Sequence, residues 1–370
     1  MPTDVPHDWI DNQEKLDRAL AGLSAPATLA VDTEFMRRNT FYPELALLQV
    51  GAGEDAFLVD PLAFRPGRSL LDAMENPANI CIMHSASEDM EAMAELLPRG
   101  PGQLFDTQIA AALAGLGPGL SYQKLVHQLT GDELEKGETR SDWLRRPLTE
   151  SQRDYAALDV LHLHTLYRQL HARLDNLGRL DWLNEECQRV CQRADRDAID
   201  PQPQRSLSAA ADWSAQKQAL LRRLLLWREH SARALDKPRP WLYNDKLALS
   251  LVAQPPATLD DVRERMRGQR AMRHAQCKAL LDEVSRPLSD EELQATAAIP
   301  PALDRNQRTV VKKLKQAVHT LAEELDIPPG LLCPRRLLEE LLVSESWPDA
   351  LTGWRQPLLE PRLAPLLPDQ

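Results

Sequence analysis

Short apolar blocks broken by turn residues fill the first third of the chain, and longer stripes at three-to-four spacing fill the remainder. The first block, Thr28-Leu-Ala-Val-Asp-Thr-Glu-Phe35, predicts a strand that carries two carboxylates where its pattern calls for aliphatic residues. Further runs predict strands over 45–51, 56–60, 79–84 and 103–105, with a helix between 60 and 79 and another over 85–97. A hairpin-like start followed by alternating strand and helix predicts an α/β fold, a mixed sheet with helices on its faces. Thr149-Glu-Ser-Gln152 has the form of a capping box, and one helical stripe follows it through Tyr155, Asp159, Leu163, Leu166, Leu170 and Leu174.

After residue 175 the pattern is almost purely helical. Around 195–206 two prolines and no apolar period predict a linker. Beyond it Leu220-Leu-Arg-Arg-Leu224 matches Val310-Val-Lys-Lys-Leu314, and Leu235-Asp236-x-Pro238 matches Leu325-Asp326-x-Pro328, all at one offset. Two copies of a small helical module are expected. The resulting boundaries are 1–195 for the α/β part, 196–211 for the linker, and 212–290 and 291–370 for the two modules.

Alternation puts Asp32 and Glu34 on one face of their strand, roughly 7 Å apart along it. Taken alone, the pair also fits a solvated edge strand. Asp89, on the stripe with Met93, Leu96 and Leu97, and Asp159 each break the apolar face of a helix, where a lone acid is commonly a structural hydrogen-bonder. Three elements sending acids inward accumulate repulsion that a cation would relieve. An all-carboxylate set suits Mg²⁺ or Mn²⁺, and two such ions serve in-line phosphoryl displacement. His162 and His164 point apart on a helix, and Cys187 and Cys191 lack a second pair, so these are read as packing or surface residues.

The net charge of −11 speaks against nucleic acid until it is divided: about −13 for 1–211, +6 for 212–286 and −4 for 287–370. The basic segment offers Arg222, Arg223, Arg263, Arg265, Arg267, Arg270 and Arg273 to phosphates, with Trp241 and Tyr243 as stacking candidates beside their core reading. Arg140, Arg145 and Arg146 meet phosphate or form a solvated face, and Trp143 is read as packing. Neither a signal segment nor an apolar run of membrane-spanning length is seen, so a cytoplasmic location without a membrane role is expected.

Val31-Asp32-Thr-Glu34-Phe35, His84-Ser-Ala-Ser-Glu-Asp89 and Tyr155-Ala-Ala-Leu-Asp159 resemble the three motifs of the DEDD exonuclease superfamily, in its tyrosine-containing branch. Asp106-Thr-Gln108, Ser141-Asp-Trp-Leu144 and Arg146-Pro-Leu-Thr149 sharpen the likeness to the bacterial ribonuclease D family, and the repeat resembles its paired HRDC modules. His84 and Glu88 depart from the superfamily's second motif in the way that family does, and Asp154 stands where the histidine branch has its histidine.

The resemblance implies a ribonuclease H-like sheet followed by two all-α HRDC-like domains. It implies a 3′-5′ exoribonuclease that releases 5′-monophosphates, acting on RNA with a free 3′ end such as a tRNA precursor, with no obligate protein partner. Asp32, Glu34 and Asp159 would ligate a first metal, Asp32 would bridge to a second held largely through water by Asp89, and Tyr155 would orient the attacking water. Expected RNA contacts are Phe35, His84, Gln108, Arg140, Arg222 and Arg223. A fragment ending after Ser206 is expected to fold and to bind RNA more weakly. A DNA-acting proofreading or repair exonuclease remains as an alternative, because no motif reads a 2′-hydroxyl; a non-catalytic RNA-binding protein is a second, against which the presence of all four acids and Tyr155 counts.

Overall fold

A computed structural model gives the fold, describing residues 6–368 apart from 24, 54, 135–136, 139–140, 195–197 and 344–346. The described residues fall into two units, one drawn from 1–36, 44–196 and 305–370, the other from 37–43 and 197–304.

In the first unit a six-stranded mixed sheet is built from β1 (Asp8–Ile10), β2 (Thr28–Met36), β3 (Glu44–Ala52), β4 (Asp55–Val59), β5 (Ile80–Met83) and β6 (Leu104–Asp106), in the order β1-β4-β3-β2-β5-β6. β2 lies at the centre, antiparallel to β3 and parallel to β5, with Leu29, Ala30 and Val31 fully buried. Its pairing with β3 shifts register between Glu34 and Phe35. Such a bulge bends a strand and re-aims its side chains. The four longer predicted strands are present, and the short one at 103–105 is β6. β1 went unread because three residues, Asp-Trp-Ile, show no period; pairing with β4 makes them a strand.

The helices of this unit before residue 197 are α1 (Gln13–Leu20), α2 (Arg68–Glu75), α3 (Ser87–Met93), α4 (Thr107–Leu113), α5 (Tyr122–Thr130), α6 (Glu150–Leu161), α7 (Leu163–Asn176) and α8 (Leu180–Arg193). Two depart from expectation. α3 begins at Ser87 rather than 85, because Ser85 is left-handed (φ 61°) and the Ser85 and Ala86 amides donate to the Asp106 carboxylate. The single helix expected after Thr149 is split at His162. Thr149 and Gln152 do form the capping box, but the Tyr122 hydroxyl takes the Leu158 carbonyl at 3.0 Å and is itself hydrogen-bonded by the His162 backbone. A hydroxyl inserted into the backbone ladder breaks it there.

The second unit opens with two 3-10 turns, Pro203–Ser206 and Ser208–Ala210, in which Gln204 is buried and donates to the Ala297 carbonyl. The expected linker is therefore packed from residue 203 onward. α9 (Ala215–Leu235), α10 (Arg239–Leu242), α11 (Asp245–Ala253), α12 (Leu259–Arg265), α13 (His274–Ser285) and α14 (Asp290–Gln294) follow. α14 belongs here, not with the last module, because Arg223 of α9 holds its Glu292.

The last segment returns to the first unit as α15 (Arg305–Leu325), α16 (Pro329–Leu332), α17 (Arg335–Val343) and α18 (Gln356–Leu363). α15, α16 and α17 match α9, α10 and α11 in length, at the sequence offset of the repeat. Asp236 and Asp326, which follow the long helices, are both left-handed (φ 48° and 51°), the stop that a helix C-terminus favours. Trp354 stacks on Trp182 of α8 at 4.6 Å, and Arg355 makes a buried ion pair with Glu186. The Glu186 carboxyl is held below its usual range by Arg355 and Trp354 against the opposing effect of burial. Arg179 donates to the Leu325 carbonyl at 2.7 Å. A fragment ending after Ser206 would therefore lack part of the core of its own unit, contrary to the sequence expectation.

Candidate active site

Asp32 and Glu34 sit on the central strand just before its bulge, and Asp159 one turn beyond Tyr155 on α6, which packs across β2, β3 and β4. One carboxylate oxygen from each of Asp32, Glu34 and Asp159 lies within 4.8 Å of the others. The solvated edge-strand reading is excluded, since β2 is paired on both sides. Burial and mutual repulsion raise every member. Asp32 is pushed far above the usual carboxylate range by burial, then by Asp89, Asp159 and Glu34. Glu34 is pushed up to about 9 by burial, then by Asp159 and Asp89. Asp159 rises to about 7, chiefly through burial, although a hydrogen bond from Tyr155 works the other way.

The fourth acid stands beside this triangle. Asp89, 8% exposed, accepts a short hydrogen bond from the hydroxyl of Thr33, itself 6% exposed. Strand alternation turns Thr33 away from the Asp32–Glu34 face and toward α3, which packs on β2. Burial lifts the Asp89 carboxyl to about 6 and the Thr33 hydroxyl opposes that rise. The start of α3 is fixed from behind by Asp106, buried at 2% exposure, whose carboxylate also caps α4 at the Gln108 and Ile109 amides. Thr33 and Asp106 escaped the sequence reading as supports of the site. Their signal was present, a hydroxyl between the two acids and an Asp at a strand-to-helix junction, but neither has meaning until Asp89 and residues 85–86 are brought against it.

Tyr155 is hydrogen-bonded to Asp159. Burial and then the Asp159 charge push its phenol well above the usual tyrosine range, so it keeps its proton at neutral pH. Its ring is approached so closely by Gly137 that a Cβ there would lie 2.6 Å from Cδ2, and Trp143 packs 6.2 Å away. Trp143 is buried, as its packing reading required, and its indole nitrogen has no hydrogen-bond partner among the described residues.

The expected RNA contacts fare differently. Phe35 follows Glu34 at the bulge and is partly exposed. His84 is spent on structure: one ring nitrogen meets the Thr107 hydroxyl at 2.9 Å and the other the Leu120 carbonyl at 3.0 Å. Burial holds its pKa below the ordinary histidine value. The amide nitrogen of Gln108 donates to the same Leu120 carbonyl. Arg223 is corrected outright. It is buried and its guanidinium is consumed by Glu292 and by the carbonyls of Glu283, Arg286 and Pro287. Arg222 donates to the Pro201 carbonyl. Arg146 pairs bidentately with buried Asp60 and is likewise structural. Tyr243 is wholly buried, stacked on Trp227 and bonded to the Leu224 carbonyl, which leaves no face for a base. Arg140 lies outside the described residues.

An all-oxygen donor set, converging from a rigid strand and a helix and strained by like charges, fits a hard divalent cation. Zinc would ask for nitrogen or sulfur, and among the described residues no such group joins the triangle.

Comparison with known proteins agrees. Residues 7–175 match the family model described as 3′-5′ exonuclease, and 306–363 match that of the ribonuclease D C-terminal HRDC domain. Ribonuclease D of Xanthomonas oryzae is 40% identical over 98% of this chain and 99% of its own. That of Pseudomonas paraeruginosa is 33% identical over 94% of each. The crystal structure of Escherichia coli RNase D, described as an exoribonuclease involved in structured RNA processing, superposes with a TM-score of 0.82 at 29% identity, covering 97% of this chain and 98% of that one. The acid triangle therefore belongs to a chain of the ribonuclease D family, hydrolases that act as 3′-5′ exoribonucleases with divalent metal ions.

Proposed function

We propose that this enzyme shortens RNA from a free 3′ end one nucleotide at a time, releasing 5′-monophosphates, with precursors of tRNA as its substrate class. The observation that carries the reading is the convergence of Asp32, Glu34 and Asp159 within 4.8 Å, with Asp89 alongside. Two Mg²⁺ or Mn²⁺ ions would be held by these four carboxylates, and when bound they stabilise charge on the attacking and departing oxygens of the phosphodiester. The remaining work falls to the chain. The triangle stays ionised only when a cation offsets its repulsion, so its field is matched to a positive charge and not to RNA alone. Tyr155, a phenol at working pH, orients a water by hydrogen bonding and does not abstract its proton. Five free cysteines support a cytoplasmic setting.

The test uses the full chain and a tRNA precursor labelled at either end. Stepwise loss from the 3′ end in Mg²⁺, release of mononucleotides and arrest by EDTA are expected, with Asp32→Asn inactive yet folded. Tyr155→Phe should lower the single-turnover rate by about 10²-fold with RNA binding in Ca²⁺ unchanged. Activity that survives chelation, or faster attack on a matched DNA strand, would overturn the assignment.

A further inference from the structure

The connection between β2 and β3, residues 37–43, is folded into the second unit and not into the sheet whose strands it joins. Contacts from the end of α9, the turn after it and the start of α10 hold it. The Asp236 carboxylate accepts from the backbone amides of Phe41 (2.9 Å) and Tyr42 (3.1 Å). Lys237 donates to the Asn39 carbonyl. The Phe41 ring lies beneath two guanidiniums, Arg233 at 5.1 Å and Arg239 at 4.6 Å, and Arg233 also reaches the Tyr42 hydroxyl. Glu229 fixes both arginines from below.

Asp236 is the left-handed residue of the repeated Leu-Asp-x-Pro motif. Glycine is the residue that this conformation favours, so an aspartate here is retained at a local conformational cost. The second copy repeats the arrangement: Asp326 is left-handed too, and its carboxylate lies against Gly115, where a Cβ would sit 2.5 Å from it. In each copy the turn that ends the long helix thus presents a carboxylate to a loop of the α/β segment. Arg233, Lys237 and Arg239 have no basic counterpart at 323, 327 and 329, so the cation cage is particular to the first copy.

We propose that the first helical module braces the loop leaving the catalytic strand, with Asp236 as the positioning residue. Only Phe35 and Met36 separate that loop from Glu34, and the strand's pairing is already irregular between Glu34 and Phe35. Past the bulge the pairs Phe35–Leu45 and Met36–Glu44 tie the strand end to β3, and residues 37–43 take over at once from there, so the direction of that end depends in part on where the loop is held. A displacement of about 1 Å in a catalytic group costs up to about 10²-fold in rate, so a loosened loop is read as lost turnover. The inference rests on the acid-cluster reading above.

The test substitutes Asp236 in the full chain. Asp236→Gly keeps the left-handed turn and removes the acceptor, whereas Asp236→Asn keeps an acceptor oxygen. If only the turn mattered, the glycine variant would be at least as stable and as active as wild type. The brace predicts instead that Asp236→Gly melts no lower than wild type, that hydrogen exchange across 37–43 accelerates by about tenfold or more, and that kcat falls by about tenfold. RNA affinity measured in Ca²⁺ should stay within about twofold, and Asp236→Asn should restore most of the rate. Unchanged kcat and exchange in Asp236→Gly would overturn the brace, as would a loss confined to RNA affinity, which would make the turn an RNA-contacting surface. Asp32→Asn, run in parallel, reports on the acid cluster separately: full activity there removes the underlying reading, whatever Asp236 does.

Discussion

Asp159 and Glu34 illustrate a site that is costly to its own fold. Their folded-state pKa values, about 7 and about 9, lie above the ordinary carboxylate values, so each favours the protonated folded state. The contribution is fully present below pH 4 and is lost as pH rises through 7 and then 9. In EDTA the melting temperature should therefore fall between pH 5 and 8, and Mg²⁺ should restore it by binding only the folded protein. Asp159→Asn removes one charge: it should melt higher than wild type in EDTA, lose most of the Mg²⁺-induced rise, and show no hydrolysis. A pH-independent melting curve in EDTA would mean that the acids are not coupled as their spacing implies. Thr33 works on the fourth acid. Thr33→Val keeps the β-branched shape and deletes the hydroxyl, which should weaken Mn²⁺ binding by about 10–100-fold, the range for a lost ligand-orienting contact, while Thr33→Ser retains it. Titration calorimetry decides, with equal affinities counting against the contact.

At the scale of elements, the site depends on departures from regularity. The bulge after Glu34 and the left-handed Ser85 at the approach to α3 re-aim the backbone beside Glu34 and Asp89, and the break at His162, three residues after Asp159, lets the chain restart as α7 at Leu163. Tyr122 makes that break, and its hydroxyl lies near enough to Asp159 and Asp32 to feel their charges. Tyr122→Phe frees the Leu158 carbonyl and the His162 amide to bond each other, so little stability should be lost. The helix after Asp159 would straighten, however, and turnover should fall by about tenfold or more at unchanged melting temperature. A large drop in melting temperature with normal turnover would instead make Tyr122 a packing residue.

For the whole molecule, division by contact and division by sequence differ. The last module belongs to the unit that holds the sheet, through the Trp182–Trp354 stack and the Glu186–Arg355 pair, while residues 291–304 belong to the other unit. A chain ending at Asp304 should consequently expose Trp182 and the apolar side of α8. We expect its exonuclease unit to melt at least several degrees lower and to aggregate on heating, as calorimetry would show; an unchanged transition would mean that residues 305–370 are dispensable for that fold. In the second unit, Glu292 is drawn down to about 2, first by Arg223. Its stabilising contribution is present above its ordinary value near 4.5 and is lost as pH falls toward 2.

The sequence by itself determined whatever follows from periodicity and short-range chemistry. Alternation put Asp32 and Glu34 on one face, the interruption of apolar stripes singled out Asp89 and Asp159, the Thr149 box started α6, and a fixed offset exposed the repeat that α9–α11 and α15–α17 embody. These depend on neighbours a few residues away. Only the tertiary structure decided which partners distant groups would meet. Arginine in sequence is one residue type, whether it faces phosphate or, as Arg223 and Arg146 do, a buried carboxylate. His84, Gln108 and Tyr243 likewise look available until the Leu120 and Leu224 carbonyls arrive to take them. Thr33, Asp106, Tyr122 and Asp236 act through contacts 56, 20, 36 and 195 positions away, and no local pattern records a hydrogen bond closed by the fold.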